Sequence, residues 1–130
     1  MTTDILYLSL TAILTASLWI PYVVAQVKVN GFLTPPNYAD PTPRPLPNWG
    51  KRADRTYINA VEVFAPFAAL VLVAHLCGKA DAQTGMWAMA FFWLRVVHAA
   101  VYLFAVPYVR TVAFTLGYAC VVGLFIHLLT

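Results

Sequence analysis

The stretch RTYINAVEVFAPF, Arg55–Phe67, places an arginine, an asparagine and a glutamate in the first turns of a long apolar segment. Residues 68–75, AALVLVAH, continue that segment. A charged side chain at the centre of a membrane-spanning helix costs roughly 2.5–3.5 kcal/mol on insertion scales. Because contact with lipid is so unfavourable, these polar side chains are predicted to face the interior of a helix bundle or a water-filled cavity.

The composition indicates a membrane protein. Of the 130 residues, 62% are hydrophobic and only 10% are charged, whereas soluble domains average about 45–50% and about 25%. Four apolar segments have about the 20 residues that a spanning helix needs, and none has the strict alternation of a membrane β-strand. We therefore predict an all-α integral membrane protein, an up-down four-transmembrane-helix bundle forming a single domain over 1–130. Its helices are expected at about 5–29, 52–77, 84–106 and 108–129.

The first polar connection, 30–50, holds six of the nine prolines. Proline lacks a backbone donor, so this stretch is predicted to be a non-helical loop. The other two connections are short, which favours antiparallel neighbouring helices. The first segment lacks a basic n-region and exceeds the 7–15 apolar residues of a signal peptide, so it is expected to be a retained helix.

Basic residues concentrate in and beside this loop, at Lys28, Arg44, Lys51, Arg52 and Arg55. By the positive-inside rule the loop is predicted to be cytoplasmic, with the N- and C-termini on the non-cytoplasmic side. The basic residues serve topology in this interpretation, and no nucleic-acid partner is expected. Neither the cysteines nor any other residues show metal-ligand spacing.

Polar residues follow one face of each of two predicted helices. In the second helix Arg55, Asn59 and Glu62 recur at i, i+4 and i+7, which is a single helical face. In the third helix the spacing i, i+3, i+7 places further polar side chains on one face, namely Arg95, His98 and Tyr102. The two faces lie at matching depth and are predicted to face each other.

Two interpretations of these faces remain open. Glu62 could pair with Arg55 or Arg95 simply to hold the helices together. That pairing leaves an excess of cations, because Lys28, Arg55, Arg95 and Arg110 outnumber the single glutamate. The excess favours a binding site for a small anionic molecule that carries carboxylates.

The same residues resemble a known family. The run Arg55-x3-Asn59-x2-Glu62-x3-Pro66 is similar to the second-helix signature of the MAPEG family, the membrane-associated proteins in eicosanoid and glutathione metabolism. RVVHAAVY, 95–102, resembles the third helix of its prostaglandin E synthase and microsomal glutathione transferase branches. AQVK, 25–28, is similar to the end of their first helix, where an arginine often stands in place of Lys28.

The resemblance implies a homotrimer that binds glutathione, as co-substrate, in a cleft between subunits open toward the cytoplasmic leaflet. A lipophilic small molecule dissolved in the membrane lipids would be the second substrate. The catalytic residues implied by position are Arg110, which would stabilise the glutathione thiolate, and Thr111. The glutathione-binding residues implied are Lys28 from the adjacent subunit, Arg55, Asn59, Glu62, Arg95, His98 and Tyr102.

The function expected from this resemblance is a membrane glutathione S-transferase acting on lipophilic electrophiles, with transferase, peroxidase and isomerase chemistry left open. The alternative is a non-catalytic protein of MAPEG fold that binds a lipid or a thiol, or serves as an accessory membrane subunit. A small proton-coupled exporter is a third class. It is disfavoured because the first helix has no acidic residue between Asp4 and Lys28.

Overall fold

A computed structural model describes all 130 residues and contains six helices and no strand. Four segments are long and apolar enough to cross a membrane, at 3–30, 48–76, 82–103 and 109–129. The predicted all-α membrane fold with four spanning segments is therefore confirmed. The helices are α1 (Thr3–Ser17), α2 (Trp19–Asn30), α3 (Pro35–Ala39), α4 (Asn48–Leu76), α5 (Ala82–Leu103) and α6 (Val109–Leu129).

The first spanning segment is divided into two helices, which corrects the expectation of one continuous helix over 5–29. The break lies at Leu18, whose backbone N–H donates to the Thr15 carbonyl at 3.3 Å. Pro21 explains the position of the break. It has no N–H for the Ser17 carbonyl, and its ring clashes with that carbonyl in a regular helix.

The proline-rich connection also contains helix, which corrects the prediction that 30–50 would be entirely non-helical. Pro35 and Pro36 occupy the first two positions of the short α3, where a missing N–H is tolerated and the fixed φ suits the helix. α4 begins at Asn48, directly after Pro47. The loop prolines therefore start a helix, directly precede one or lie in the non-helical stretch 40–47, and none lies in a helix interior.

The bundle packs around a small apolar core. α1 contacts α4 and α5, α2 contacts α4, and α6 packs mainly on α5. The Phe67 and Phe91 rings stack with their centroids 4.0 Å apart. Gly50 lets α2 and α4 approach closely, since a Cβ there would lie 2.8 Å from the Ala25 Cβ.

A polar network ties the helices together at one end of the bundle. We call this the terminal end, residues 1–4, 75–84 and 127–130. Asp4 is buried, and its Oδ2 lies 2.7 Å from His75 Nε2 and accepts a hydrogen bond from Thr84 Oγ1 at 3.2 Å. Asp81 Oδ2 lies 3.0 Å from His127 Nε2. These contacts join α1 to α4 and α5, and the start of α5 to the end of α6.

Candidate functional site

A polar cavity of about 370 Å³ opens between α4, α5 and α6 at the opposite end of the bundle. We call that end the loop end, residues 28–55 and 102–111. α4 and α5 supply polar residues from the two faces predicted from the sequence, and α6 supplies its first two turns. The cavity is lined by Arg55, Ile58, Asn59, Glu62, His98, Tyr102, Arg110, Thr111 and Phe114.

The turn between α5 and α6 positions Arg110 at this cavity. α5 ends in a Schellman motif, in which Val106 N–H donates to the Val101 carbonyl and Ala105 N–H donates to the Tyr102 carbonyl. Ala105 (φ 59°) and Tyr108 (φ 67°) both adopt left-handed backbone conformations, which cost roughly 1–2 kcal/mol for a residue with a Cβ. The strained turn brings the start of α6 back beside the end of α5.

Aromatic stacking orders one wall of the cavity. The rings of His98 and Tyr102 are nearly parallel, at an interplanar angle of 7°, with centroids 5.9 Å apart. The guanidinium carbon of Arg110 lies 4.6 Å from the centroid of the Tyr102 ring. The row runs from the buried His98, whose Nδ1 has no hydrogen-bond partner, to the exposed Arg110. Tyr102 therefore holds Arg110 by a cation–π contact over the cavity.

The charged residues of the cavity are not paired with one another. Both ion pairs in the structure lie at the terminal end, between Asp4 and His75 and between Asp81 and His127. Glu62 lies within 4.0 Å of no arginine nitrogen, so it does not form the helix-joining ion pair left open by the sequence. The cavity thus presents two guanidiniums and one carboxylate that are free to bind a ligand.

Arg95 and Lys28 are two predicted site residues that the structure places outside this cavity. Arg95 is buried behind its wall and donates from Nη2 to Asn59 Oδ1 at 2.8 Å. Lys28 is exposed in the last turn of α2 and does not line the cavity of its own chain. Arg95 thus fixes the orientation of Asn59, whereas Lys28 takes no part in the cavity of its own chain.

Two apolar lining residues, Ile58 and Phe114, were not identified from the sequence. Both follow a predicted arginine at helical spacing, Ile58 three residues after Arg55 and Phe114 four after Arg110. That spacing places each on the same helical face as its arginine. This spacing would have identified both residues, but only polar residues were considered as candidates.

The arrangement can bind a small zwitterionic ligand. Guanidiniums recognise carboxylates through paired charge-assisted hydrogen bonds, and the Glu62 carboxylate can accept from an ammonium group. Arg110 supplies a second guanidinium cation to the cavity. It can therefore stabilise an anion, such as a thiolate, at the mouth of the cavity.

Comparison with known proteins agrees with this geometry. The model of the MAPEG family matches residues 5–130, nearly the whole chain. No curated protein sequence matches the chain. The matched range includes all but the first two residues of the four spanning segments, and every residue that lines the polar cavity. Because the family model matches nearly the whole chain, the chain belongs to the MAPEG family.

Proposed function

We propose that this protein is a membrane glutathione S-transferase that conjugates glutathione to lipophilic electrophiles. Membership of the MAPEG family supports glutathione-linked or eicosanoid-linked chemistry in a membrane. The observation that carries the proposal is the polar cavity, in which Arg55, Glu62 and Arg110 converge without an ion pair among them. Peroxidase chemistry by the same thiolate is a second use of this site.

Glutathione fits the donors and acceptors of the cavity. It carries two carboxylates, one ammonium group and one thiol, and a volume of about 370 Å³ falls within the ~300–1,000 Å³ of ligand pockets. Arg55 binds a carboxylate, and Glu62 accepts from the ammonium group. Asn59, oriented by Arg95, hydrogen-bonds the peptide portion. These contacts leave the thiol for the α6 side of the cavity.

Arg110 activates the thiol in this mechanism. A free thiol with a pKa of about 8.5 is ionised to only a few per cent at neutral pH, and the thiolate is the nucleophile. A guanidinium in contact with the sulfur lowers the thiol pKa because it stabilises the anion. The Thr111 hydroxyl donates a second hydrogen bond to the sulfur, and Tyr102 keeps Arg110 in place.

The proposal includes an assembly and an orientation. In a homotrimer, the exposed Lys28 of one subunit reaches the cavity of its neighbour and adds a cation for the second carboxylate. The loop 31–47 faces the cytoplasm, so the cavity opens to the water-soluble thiol while the electrophile arrives through the lipid. The whole chain acts as one domain.

Equilibrium binding of glutathione to the detergent-solubilised protein tests the proposal. Arg55→Ala and Glu62→Ala should each weaken binding by roughly tenfold to a hundredfold, the value of one hydrogen bond to a charged group. Lys51→Ala and Asp54→Ala are matched charge controls in α4 outside the cavity, and both should bind like wild type. Equal affinity in all four variants would contradict the site.

Binding without any conjugation would favour the non-catalytic alternative. In that case the protein would hold glutathione or a thiol conjugate without activating the sulfur. A set of small and large electrophiles, assayed at saturating glutathione, separates the two functions. Turnover that depends on Arg110 would exclude the non-catalytic interpretation.

A further inference from the structure

A second, smaller cavity of about 140 Å³ lies deeper in the same three-helix interface. Its walls are almost wholly apolar. Phe114 lines both cavities, so the polar cavity and the apolar one adjoin at this side chain. The remaining lining residues come from α4, α5 and α6, namely Val63, Pro66, Phe91, Arg95, Gly117, Tyr118 and Val121.

The apolar cavity has a buried floor and an exposed rim. Phe91 is only 1% exposed and forms the floor, whereas Pro66, Phe114 and Tyr118 are exposed at the rim. All of these residues lie within spanning segments. The rim therefore opens inside the membrane, on the path that a lipid-dissolved molecule would take.

Arg95 does not make this cavity polar. Its guanidinium donates to Asn59, which lines the other cavity. The surface that it gives to the smaller cavity is therefore that of its hydrocarbon stem. A ligand in this space receives dispersion contacts and no hydrogen bond, so the ligand portion that fits must be apolar.

The volume limits the size of that apolar portion. Cavities of about 150 Å³ lined by apolar side chains stay dry and accept a molecule of the size of benzene. A cavity of about 140 Å³ thus holds one aryl ring or an alkyl chain of about six carbons. The body of a long-chain lipid would extend past the rim into the membrane.

We propose that this cavity is the subsite for the second substrate, and that it selects lipophilic electrophiles with a benzene-sized apolar group. The inference rests on the proposed function, because it takes the thiolate to lie in the adjoining polar cavity. Phe114, shared by both cavities, packs between the apolar group and the thiol. The reacting carbon lies beside Phe114, with the apolar group on one side and the sulfur on the other.

A series of 1-iodoalkanes from ethyl to decyl provides the probe. The glutathione thiol first loses its proton to solvent. The thiolate then forms a carbon–sulfur bond with C1, and the carbon–iodine bond breaks as iodide leaves with the electron pair. For each chain length, the ratio of kcat/KM between wild type and a variant cancels the partition of the iodoalkane into detergent.

Val121→Phe fills the apolar cavity and is the principal variant. The wild-type to variant ratio should rise from near one for iodoethane to roughly tenfold for iodohexane, since the added ring displaces about two methylenes from the cavity. Val122→Phe is the matched control, because Val122 faces a different groove, beside Trp87. Its ratio should not change with chain length.

Gly117→Ala is a second, smaller cavity-filling variant that keeps the test valid if Val121→Phe does not fold. A Cβ on Gly117 lies 4.0 Å from the nearest Phe91 ring carbon, an ordinary contact, so the methyl enters the cavity without strain. It should give a smaller ratio that still increases with chain length.

The outcomes distinguish this inference from the proposed function. Thiolate formation in wild type, with a ratio for Val121→Phe and Gly117→Ala that is the same at every chain length, would overturn the subsite alone. Absence of both thiolate and conjugation in wild type would overturn the proposed function and the subsite with it. A length-dependent ratio in these two variants and not in Val122→Phe supports the assignment.

Discussion

The two ends of the bundle differ in whether their charged side chains form ion pairs. At the terminal end the acidic side chains are paired, Asp4 with His75 and Asp81 with His127. In the polar cavity, toward the loop end, Arg55, Glu62 and Arg110 form no ion pair with any residue of the chain. Polar groups in membrane helices are costly unless they have partners. The paired groups are thus explained by the fold, whereas the three cavity groups are the ones available to bind the ligand that we propose.

The first prediction compares one substitution at each end, by its effect on stability and on glutathione binding. Asp4→Ala removes the acceptor of both His75 and Thr84, and should lower the free energy of unfolding by about 3 kcal/mol while glutathione binding is retained. Glu62→Ala should leave the free energy of unfolding nearly unchanged, because Glu62 has no ion-pair partner to lose, but it should weaken glutathione binding. Thermal unfolding and glutathione titration of both variants in one detergent measure these two effects. A stability loss of equal size in both would remove the distinction between the ends.

The second prediction compares the turns that end α4 and α5. Both are Schellman motifs, but the left-handed position holds Gly78 (φ 66°) after α4 and Ala105 (φ 59°) after α5. A Cβ on Gly78 would meet no atom within 4 Å, so only backbone strain is at issue. Gly78→Ala should destabilise the protein by about 1–2 kcal/mol, and Ala105→Gly should stabilise it by about 1 kcal/mol. Thermal unfolding measures both, and shifts of the same sign would refute the strain argument.

The third prediction, with the smallest expected effect, is about the stability of the protein at acidic pH. Asp81 caps α5 by accepting from Thr84 N–H and Gln83 N–H, and these hydrogen bonds, with the charge of His127, hold its pKa below the usual 3.8. A carboxylate whose pKa is lower in the folded state adds stability above pH 3.8, and that stability is lost as the pH falls through the lower folded value. In Asp81→Asn the free energy of unfolding should therefore fall less steeply at acidic pH than it does in wild type.

Asp54→Asn is the control for this profile, because Asp54 is a half-buried carboxylate that takes part in no ion pair. It should leave the acid side close to wild type. An unchanged profile in Asp81→Asn would mean that the cap does not contribute to acid stability.

Much of the cavity could be predicted because local periodicity determines which side chains share a helical face. The spacing of Arg55, Asn59 and Glu62 identified the α4 face, and the structure places all three at one cavity. The position of Arg110 depends on the turn before it. The left-handed Ala105 that shapes this turn has no sequence signal, since alanine there is unfavourable.

The terminal network was missed for a different reason. Asp4 and His75 are separated by 71 positions along the chain, so no helical periodicity connects them. The up-down order of the helices does place the N-terminus beside the turn between α4 and α5. His75 could have been assigned to a partner only by combining topology with depth in the membrane. The break before α2, in contrast, had a local signal in Pro21.

The most direct test of the account is the ultraviolet absorbance of glutathione thiolate on the solubilised protein at neutral pH. Wild type should give a saturable thiolate signal. Arg110→Ala should lose that signal while it still binds glutathione, and Arg44→Ala, a loop arginine outside the cavity, should keep it. Bound glutathione without thiolate in wild type, or a thiolate signal that survives in Arg110→Ala, would contradict the claim that the unpaired arginine of the loop end activates the thiol.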